Sequence, residues 1–347
     1  MARHLAAISH TVDLQAYVNW VTGRMVALLD SVEAELAAII EEGLSGLLSE
    51  YSLDRLTSLL VSVRMLNAET YANISSEYAA DMRAMVTSEI EFYTRLVGAP
   101  EVGVVIAEQV YAAATESPIQ GRLLKSLFSS MEETRALRIQ QQIAQGYVEG
   151  RTMQEITRSI FGSELEAGTL DMDRRSLQNV VRTATQHYAA EARDEVYHQN
   201  ADIVKSIVWI ATLDTRTSDI CRIRDGTRWT IDGAPIGHNL EWLDGPGEAH
   251  WNCRSTAYPE VDVPGLDLSR GRSRASMDGP VPATMTFADW IKRQSAARQD
   301  EVLGPTRGAL LRRGAYKLPN FYDNRGRLLT ITELRARDAL TFEELGL

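Results

Sequence analysis

The sequence is poor in cysteine: Cys221 and Cys253 are the two cysteines among its 347 residues. Two cysteines cannot build a disulfide scaffold, and they are typical of a protein from a reducing compartment. The sequence also lacks any run of about eighteen apolar residues, and its start lacks the apolar core and cleavage site of a secretory signal. We therefore expect a soluble protein made without a secretory signal.

Positive charge is also scarce. The chain has 36 Lys and Arg against 47 Asp and Glu, a formal net charge of -11. This balance argues against whole-surface binding to nucleic acid or to an anionic membrane. The charge is uneven, because residues 1–130 hold 8 basic and 16 acidic side chains, whereas residues 264–317 hold 10 and 5. Any contact with DNA is therefore expected in the later, basic segment.

Several enzyme signatures are missing from the chain. It contains no GxxxxGK[ST], GxGxxG, HExxH or GxSxG motif, so the enzyme classes that these motifs indicate are unsupported. Its composition is 44% hydrophobic and 24% charged, which is typical of a globular protein and excludes disordered and collagen-like classes.

The first half of the chain has a helical pattern. Proline is rare between residues 12 and 163, and apolar residues recur there every three or four positions. The pattern predicts helices over residues 21–48, 53–96, 102–114, 118–146, 153–161 and 174–200. We expect this half to be packed helices with no site of its own.

The pattern changes near residue 203, where short β-branched segments alternate with turns such as Asp225-Gly226. These segments predict a small, loop-rich antiparallel sheet, and the fold class is therefore α+β, mostly α. The predicted segments are a helical domain (1–165), a helix with the small sheet (166–262), a Gly/Ser/Arg linker (263–285) and a short mixed C-terminal tail (286–347).

Cysteine and histidine cluster within the predicted sheet region. Cys221, His250 and Cys253, with His238 as a fourth, are candidate ligands for a tetrahedral Zn²⁺ ion. His250 and Cys253 form a close pair, whereas Cys221 stands alone. Two alternatives remain open: the cysteines are small buried core residues, or a cysteine and a histidine form a catalytic pair.

Charged residues flank these candidates. Asp214 follows a strand and precedes Thr-Arg-Thr, a pattern that favours an Asx-type turn, and Arg254 is a natural partner for Asp214 or Asp225. A network that holds long loops together is one interpretation of Asp214, Arg216 and Arg254. A phosphate or substrate contact is the other.

The order of these residues resembles the phage Mu F-like family of minor head, or head morphogenesis, proteins of tailed bacteriophages. The residues that carry the resemblance are Arg182, Trp209, Asp214, Arg216, Cys221, Asp225, Gly226, His250, Cys253 and Arg254. Residues 143–162 are similar to a helix-turn-helix that precedes the family's domain, and residues 287–334 to the tail of many members. Many members have cysteine at the positions of Ser218 and Ser255, and this substitution weakens a cysteine-rich metal site here.

The resemblance implies a structural protein of the virion without enzymatic activity. Such a protein acts at the portal vertex or inside the procapsid, and its implied partners are portal, capsid and scaffold proteins, with no membrane. The implied locations are the virion and, during assembly, the host cytoplasm. Besides zinc, no cofactor is expected.

The basic segment adds a further hypothesis. Arg270, Arg272 and Arg274 could contact packaged DNA through its phosphates, in a salt-dependent and sequence-independent manner, although a solvated linker is the alternative. Two other functions compete with a structural role. The first is a phage-borne nuclease or transferase carried by this domain, and the second is a DNA-binding regulator, which the net charge of -11 disfavours.

Overall fold

The computed structural model describes residues 3–49, 53–98, 103–163, 166–261 and 273–347. Helices dominate, and a small antiparallel sheet accompanies them, which confirms the predicted mostly-α α+β class. The helices that precede the sheet are α1 (Arg3–Ser31), α2 (Glu33–Ser49), α3 (Leu53–Val97), α4 (Ala107–Glu116), α5 (Leu124–Val148), α6 (Met153–Phe161) and α7 (Thr169–Gln199).

Strands and short helices follow α7. The strands are β1 (Val204–Ile210), β2 (Arg228–Trp229), β3 (Pro235–Ile236), β4 (Thr256–Val261), β5 (Ser273–Ser276) and β6 (Gly279–Pro282). The helices are α8 (Asp219–Arg224), α9 (Phe287–Lys292), α10 (Ala296–Leu303), α11 (Pro305–Arg312), α12 (Ile331–Arg337) and α13 (Ala339–Glu344), with a 3₁₀ turn at Leu318–Phe321.

The chain divides into two compact units. We call Ala16–Val86 with Tyr111–Tyr188 the helical unit, and Met1–Gln15, Thr87–Val110 and Ala189–Leu347 the sheet unit. Helices α1, α3, α4 and α7 each run from one unit into the other.

The helical unit has a core of aliphatic side chains at helical spacing. Its buried members are Leu36, Ile40, Leu44, Leu59, Val63, Ile139, Ile143, Ile156, Ile160 and Leu170. Helices α5 and α6 approach closely because Gly146 has no side chain: a Cβ there would lie 2.4 Å from Cγ1 of Ile156. A capping box between Thr152 and Glu155 starts α6 at that point.

The sheet unit contains a four-stranded antiparallel sheet in the order β3-β2-β1-β4. Strand β1 is central, and all its residues except Lys205 are buried. Its carboxyl end leads directly into the loop that holds Asp214 and then into α8, so the central strand positions the candidate residues.

The segment predicted as a linker differs from the expectation where the structure describes it. Strands β5 and β6 form a hairpin, and Met277 N–H donates to the Leu213 carbonyl at 3.0 Å. The buried side chain of Arg274 anchors this hairpin, as detailed below.

The C-terminal tail shares one core with the loop after β1. Leu213 and Ile223 belong to the same buried cluster as Phe287, Trp290 and Phe321. The tail is therefore packed onto the region that bears the candidate residues, and both lie in the sheet unit.

Candidate functional site

Asp214 organises the loop between β1 and α8. Its Oδ1 accepts a hydrogen bond from the Arg216 backbone N–H at 3.1 Å, so the expected Asx-type turn is present. Arg254 pairs with it through both carboxylate oxygens, at 2.6 and 2.8 Å. Burial has the largest influence on Asp214 and would raise its pKa, but the hydrogen bonds from Arg254 and Thr217 and the charges of Arg254 and Arg216 together outweigh burial, and the pKa lies below its usual value. Arg254 therefore joins this loop to the one that follows Cys253.

Asp225 is the second anchor, and its side chain is fully buried. Its Oδ1 accepts from Ala211 N–H at 2.7 Å and its Oδ2 from Phe287 N–H at 2.6 Å. Both oxygens also accept from Arg274, at 2.6 and 2.9 Å. One carboxylate thus ties together the end of β1, the hairpin and the start of α9.

The position of Arg274 contradicts its predicted contact with DNA. Its guanidinium is buried, is paired with Asp225, and donates to the Met285 carbonyl at 2.7 Å as well as to Ala211 O. A guanidinium occupied in this way cannot reach a phosphate. Arg270 and Arg272, the other two predicted contacts, lie outside the described residues.

Gly226 and Trp209 complete the framework around Asp225. Gly226 has φ of +80°, and its N–H donates to the Trp209 carbonyl at 2.8 Å. A side chain at this position would be strained and would meet Thr286. Trp209 is fully buried beside Trp229 and Trp242, with ring centroids 6.2 and 5.8 Å away. These motif residues hold the loops in place.

Two other predicted motif residues are in more open places. Arg182 lies half-buried on α7, in the helical unit. Arg216 is exposed and lines a pocket of about 200 Å³ beside Cys221, together with Ser218, His250 and Arg254.

Sequence reasoning did not single out Arg224, which is fully buried. Its guanidinium donates to the Glu241 carbonyl at 2.7 Å, to Ile220 O at 2.8 Å and to Asn324 O and Arg325 O at 3.3 Å each. It therefore links α8 to the C-terminal tail. The only sequence signal is its position next to Asp225, which does not reveal carbonyl partners a hundred residues away.

Three of the four predicted metal ligands come together. Cys221 Sγ lies 3.7 Å from Cys253 Sγ and 3.1 Å from His250 Nε2. Both cysteines are buried, at 2% and 0% exposed, and His250 is half-buried at the pocket wall. The lone Cys221 of the sequence is thus a neighbour of the His250 and Cys253 pair.

His238 does not belong to this cluster, contrary to the prediction. Its ring packs edge-on against Trp229, and its Nε2 lies 2.9 Å from the Arg228 carbonyl. Its Nδ1 accepts from Leu240 N–H at 3.3 Å. Both ring nitrogens are therefore engaged by backbone groups, one in strand β2 and one in the loop of His238 itself.

Ser218 takes a place beside the three donors. Its hydroxyl lies 2.7 Å from His250 Nε2, and it also caps α8 by accepting from Cys221 N–H at 3.3 Å. Ser218 and Cys221 are thus separated by two residues, as are His250 and Cys253.

The two thiols differ electrostatically. Burial, together with the neighbouring Cys253, raises the pKa of Cys221. Burial has the largest influence on Cys253 and acts to raise its pKa, but the combined interactions with Cys221, His250 and the Ser255 backbone outweigh burial, so that this pKa falls below its usual value. Burial of both sulfurs disfavours attack on a substrate, because reactive cysteines are partly exposed. The arrangement is better suited to holding a soft metal ion.

Comparisons with known proteins agree with the motif. Residues 137–258 match the model of the family described as phage Mu protein F like protein. A search of curated proteins and of solved structures found no match. Within the ranges that the structure describes, no helix is long and apolar enough to cross a membrane. The chain therefore carries a phage Mu F-like domain over residues 137–258.

Proposed function

We propose that this chain is a minor structural protein of a tailed-phage head, acting at the portal vertex or in the procapsid interior during assembly and DNA packaging. The match of residues 137–258 to the Mu F-like family carries the proposal, since that family points to phage head morphogenesis. The protein would reside in the virion, after a period in the host cytoplasm during assembly.

The contacts that the motif residues make within the protein support a structural role. Asp214, Asp225 and Gly226 each connect loops to one another or to the tail. Their polar atoms are engaged within the protein, which is the arrangement of a rigid framework. A framework of this kind presents fixed surfaces to other proteins.

The helical unit offers apolar side chains to such partners. Val61 and Met65 are 50% and 68% exposed, and they stand four residues apart on one face of α3. Trp20 on α1 is 55% exposed. Aromatic residues and methionine are enriched at protein interfaces, so these side chains favour contacts with portal, capsid or scaffold proteins.

The C-terminal tail supports this role over a nuclease or transferase. Its carboxylates serve local structure: Asp300 pairs with Arg312, and Glu333 pairs with Arg327 and caps α12. Asp289 and Asp338 cap α9 and α13. Carboxylates used in this way do not converge on a shared metal or substrate.

Contact with packaged DNA is a secondary part of the proposal. With Arg274 buried, such contact would depend on Arg270, Arg272 and the exposed basic residues of the tail. Few phosphate contacts imply weak binding that is lost as salt rises.

The composition of purified phage heads tests the proposal. If the chain is a minor head protein, mass spectrometry of heads purified from the phage that carries the gene will detect it at a few copies per head. Portal and major capsid proteins from the same sample serve as the internal reference. Recovery of the chain in the soluble lysate alone, with none in heads, would contradict the proposal.

A further inference from the structure

We propose that Cys221, His250 and Cys253 bind one Zn²⁺ ion, with a fourth coordination position open to the pocket beside Ser218. The proposal rests on the geometry of this cluster and is independent of the head-assembly role. The three donor atoms lie within 4.8 Å of one another, one from each residue.

The sulfur spacing fits a tetrahedral ion. With zinc–sulfur bonds of about 2.3 Å, the edge between two sulfurs of a tetrahedron is about 3.8 Å. The observed distance between Cys221 Sγ and Cys253 Sγ is 3.7 Å. The edge from Cys221 Sγ to His250 Nε2 is 3.1 Å, so the ring would move outward by roughly half an ångström when the ion enters.

The imidazole of His250 is oriented as a ligand. Its Nδ1 lies 2.9 Å from the Trp251 carbonyl, which can only accept, so Nδ1 carries the proton of the neutral ring. Nε2 then presents a lone pair to Cys221 Sγ and to the Ser218 hydroxyl. Zinc-bound histidines commonly donate their other ring N–H to a backbone carbonyl in this way.

The chain spacing supports a site with one protein ligand missing. Ser218-x-x-Cys221 and His250-x-x-Cys253 have the paired spacing of structural zinc sites, with serine in place of the first thiol. Ser218, Cys221 and His250 line the pocket, whereas Cys253 is fully buried. We therefore expect water, or the Ser218 hydroxyl, in the fourth position.

The charges are also compatible. Binding of Zn²⁺ releases the two thiol protons to solvent, and the ion with two thiolates and a neutral imidazole has no net charge. A neutral complex can be buried beside Arg254, whose own charge is balanced by Asp214. Two thiolates and an imidazole favour zinc over Mg²⁺ or Ca²⁺, which prefer oxygen ligands.

Metal analysis of the full-length protein, purified without chelator, tests the proposal. We expect about one zinc per chain in the wild type, and less than about a tenth in Cys221→Ser and Cys253→Ser. His238→Ala is the matched control and should keep its zinc, because His238 lies in another loop. Cobalt-loaded wild type should show thiolate-to-cobalt absorption that Cys253→Ser lacks.

A second variant keeps the test informative if the serine variants fail to fold. Ser218→Cys would complete four ligands, and it should lose zinc to EDTA more slowly than the wild type. The proposal is overturned if the wild type holds less than about a tenth of a zinc ion and melts at the same temperature in EDTA. Thiol titration would then separate two free thiols from a Cys221–Cys253 disulfide, and either result contradicts a zinc site.

Discussion

Asp225→Ala is expected to lower the free energy of unfolding of the sheet unit by about 3–5 kcal/mol. The substitution leaves the buried Arg274 guanidinium without its carboxylate partner. It also removes the acceptor for the N–H groups of Ala211 and Phe287. Urea unfolding followed by tryptophan fluorescence measures the loss, because Trp209 lies beside this anchor.

Asp278→Ala is the matched control for Asp225→Ala. Asp278 also pairs with an arginine, Arg298, but both side chains are about a third exposed, so its loss should cost at most about 1 kcal/mol. Asp225→Ala combined with Arg274→Met should recover part of the stability, because no buried charge is then left unpaired. Equal losses for Asp225→Ala and Asp278→Ala would refute the anchor.

Arg224→Met is expected to cost about 3 kcal/mol or more, since it leaves several buried carbonyl oxygens without a donor. The carbonyls of Glu241 and Ile220 lose the shortest hydrogen bonds from the Arg224 guanidinium. The carbonyls of Asn324 and Arg325 lose the hydrogen bonds that join α8 to the tail. Hydrogen exchange of residues 318–329 should therefore accelerate along with the loss of global stability.

Two variants control the effect at Arg224. Arg224→Lys keeps the charge but offers three donors in place of the planar fork, and should lose an intermediate amount of stability. Arg325→Ala removes an exposed side chain but keeps the backbone carbonyl that Arg224 binds, so it should cost less than about 1 kcal/mol. If the backbone amides of residues 318–329 exchange their hydrogens at the wild-type rate in Arg224→Met, the proposed link is wrong.

Helical periodicity was enough to predict most of the first half. The expected helices over residues 53–96 and 153–161 correspond to α3 and α6. The predicted start of a helix at residue 118 was wrong: α5 begins at Leu124, because Gln120 and Gly121 adopt positive φ in a turn. The expected helix over residues 21–48 is likewise divided between α1 and α2. Such breaks depend on individual backbone angles, which apolar spacing does not encode.

The candidate site was predictable in part. Residue types located the donors Cys221, His250 and Cys253, which the fold brings together. His238 was misjudged because a histidine in a nearby loop looks the same in sequence whether it faces a sulfur or a backbone carbonyl.

The role of Arg274 in the basic segment also could not be predicted from the local sequence. Arg274 was interpreted as solvated or DNA-facing from local charge, but its partner Asp225 lies 49 residues earlier in the chain. Pairing over that distance is decided by the tertiary fold, as it is for Arg224 and the tail carbonyls.

Deletion of the gene from the phage that carries it is the most direct test of the central claim, a structural role in head assembly. Electron microscopy of lysates would count DNA-filled heads, empty heads and aberrant particles, with wild-type protein supplied in trans as the control. We expect DNA-filled heads to be lost on deletion and restored by the wild-type protein. DNA-filled, infectious heads at wild-type numbers in the deletion strain would contradict the account.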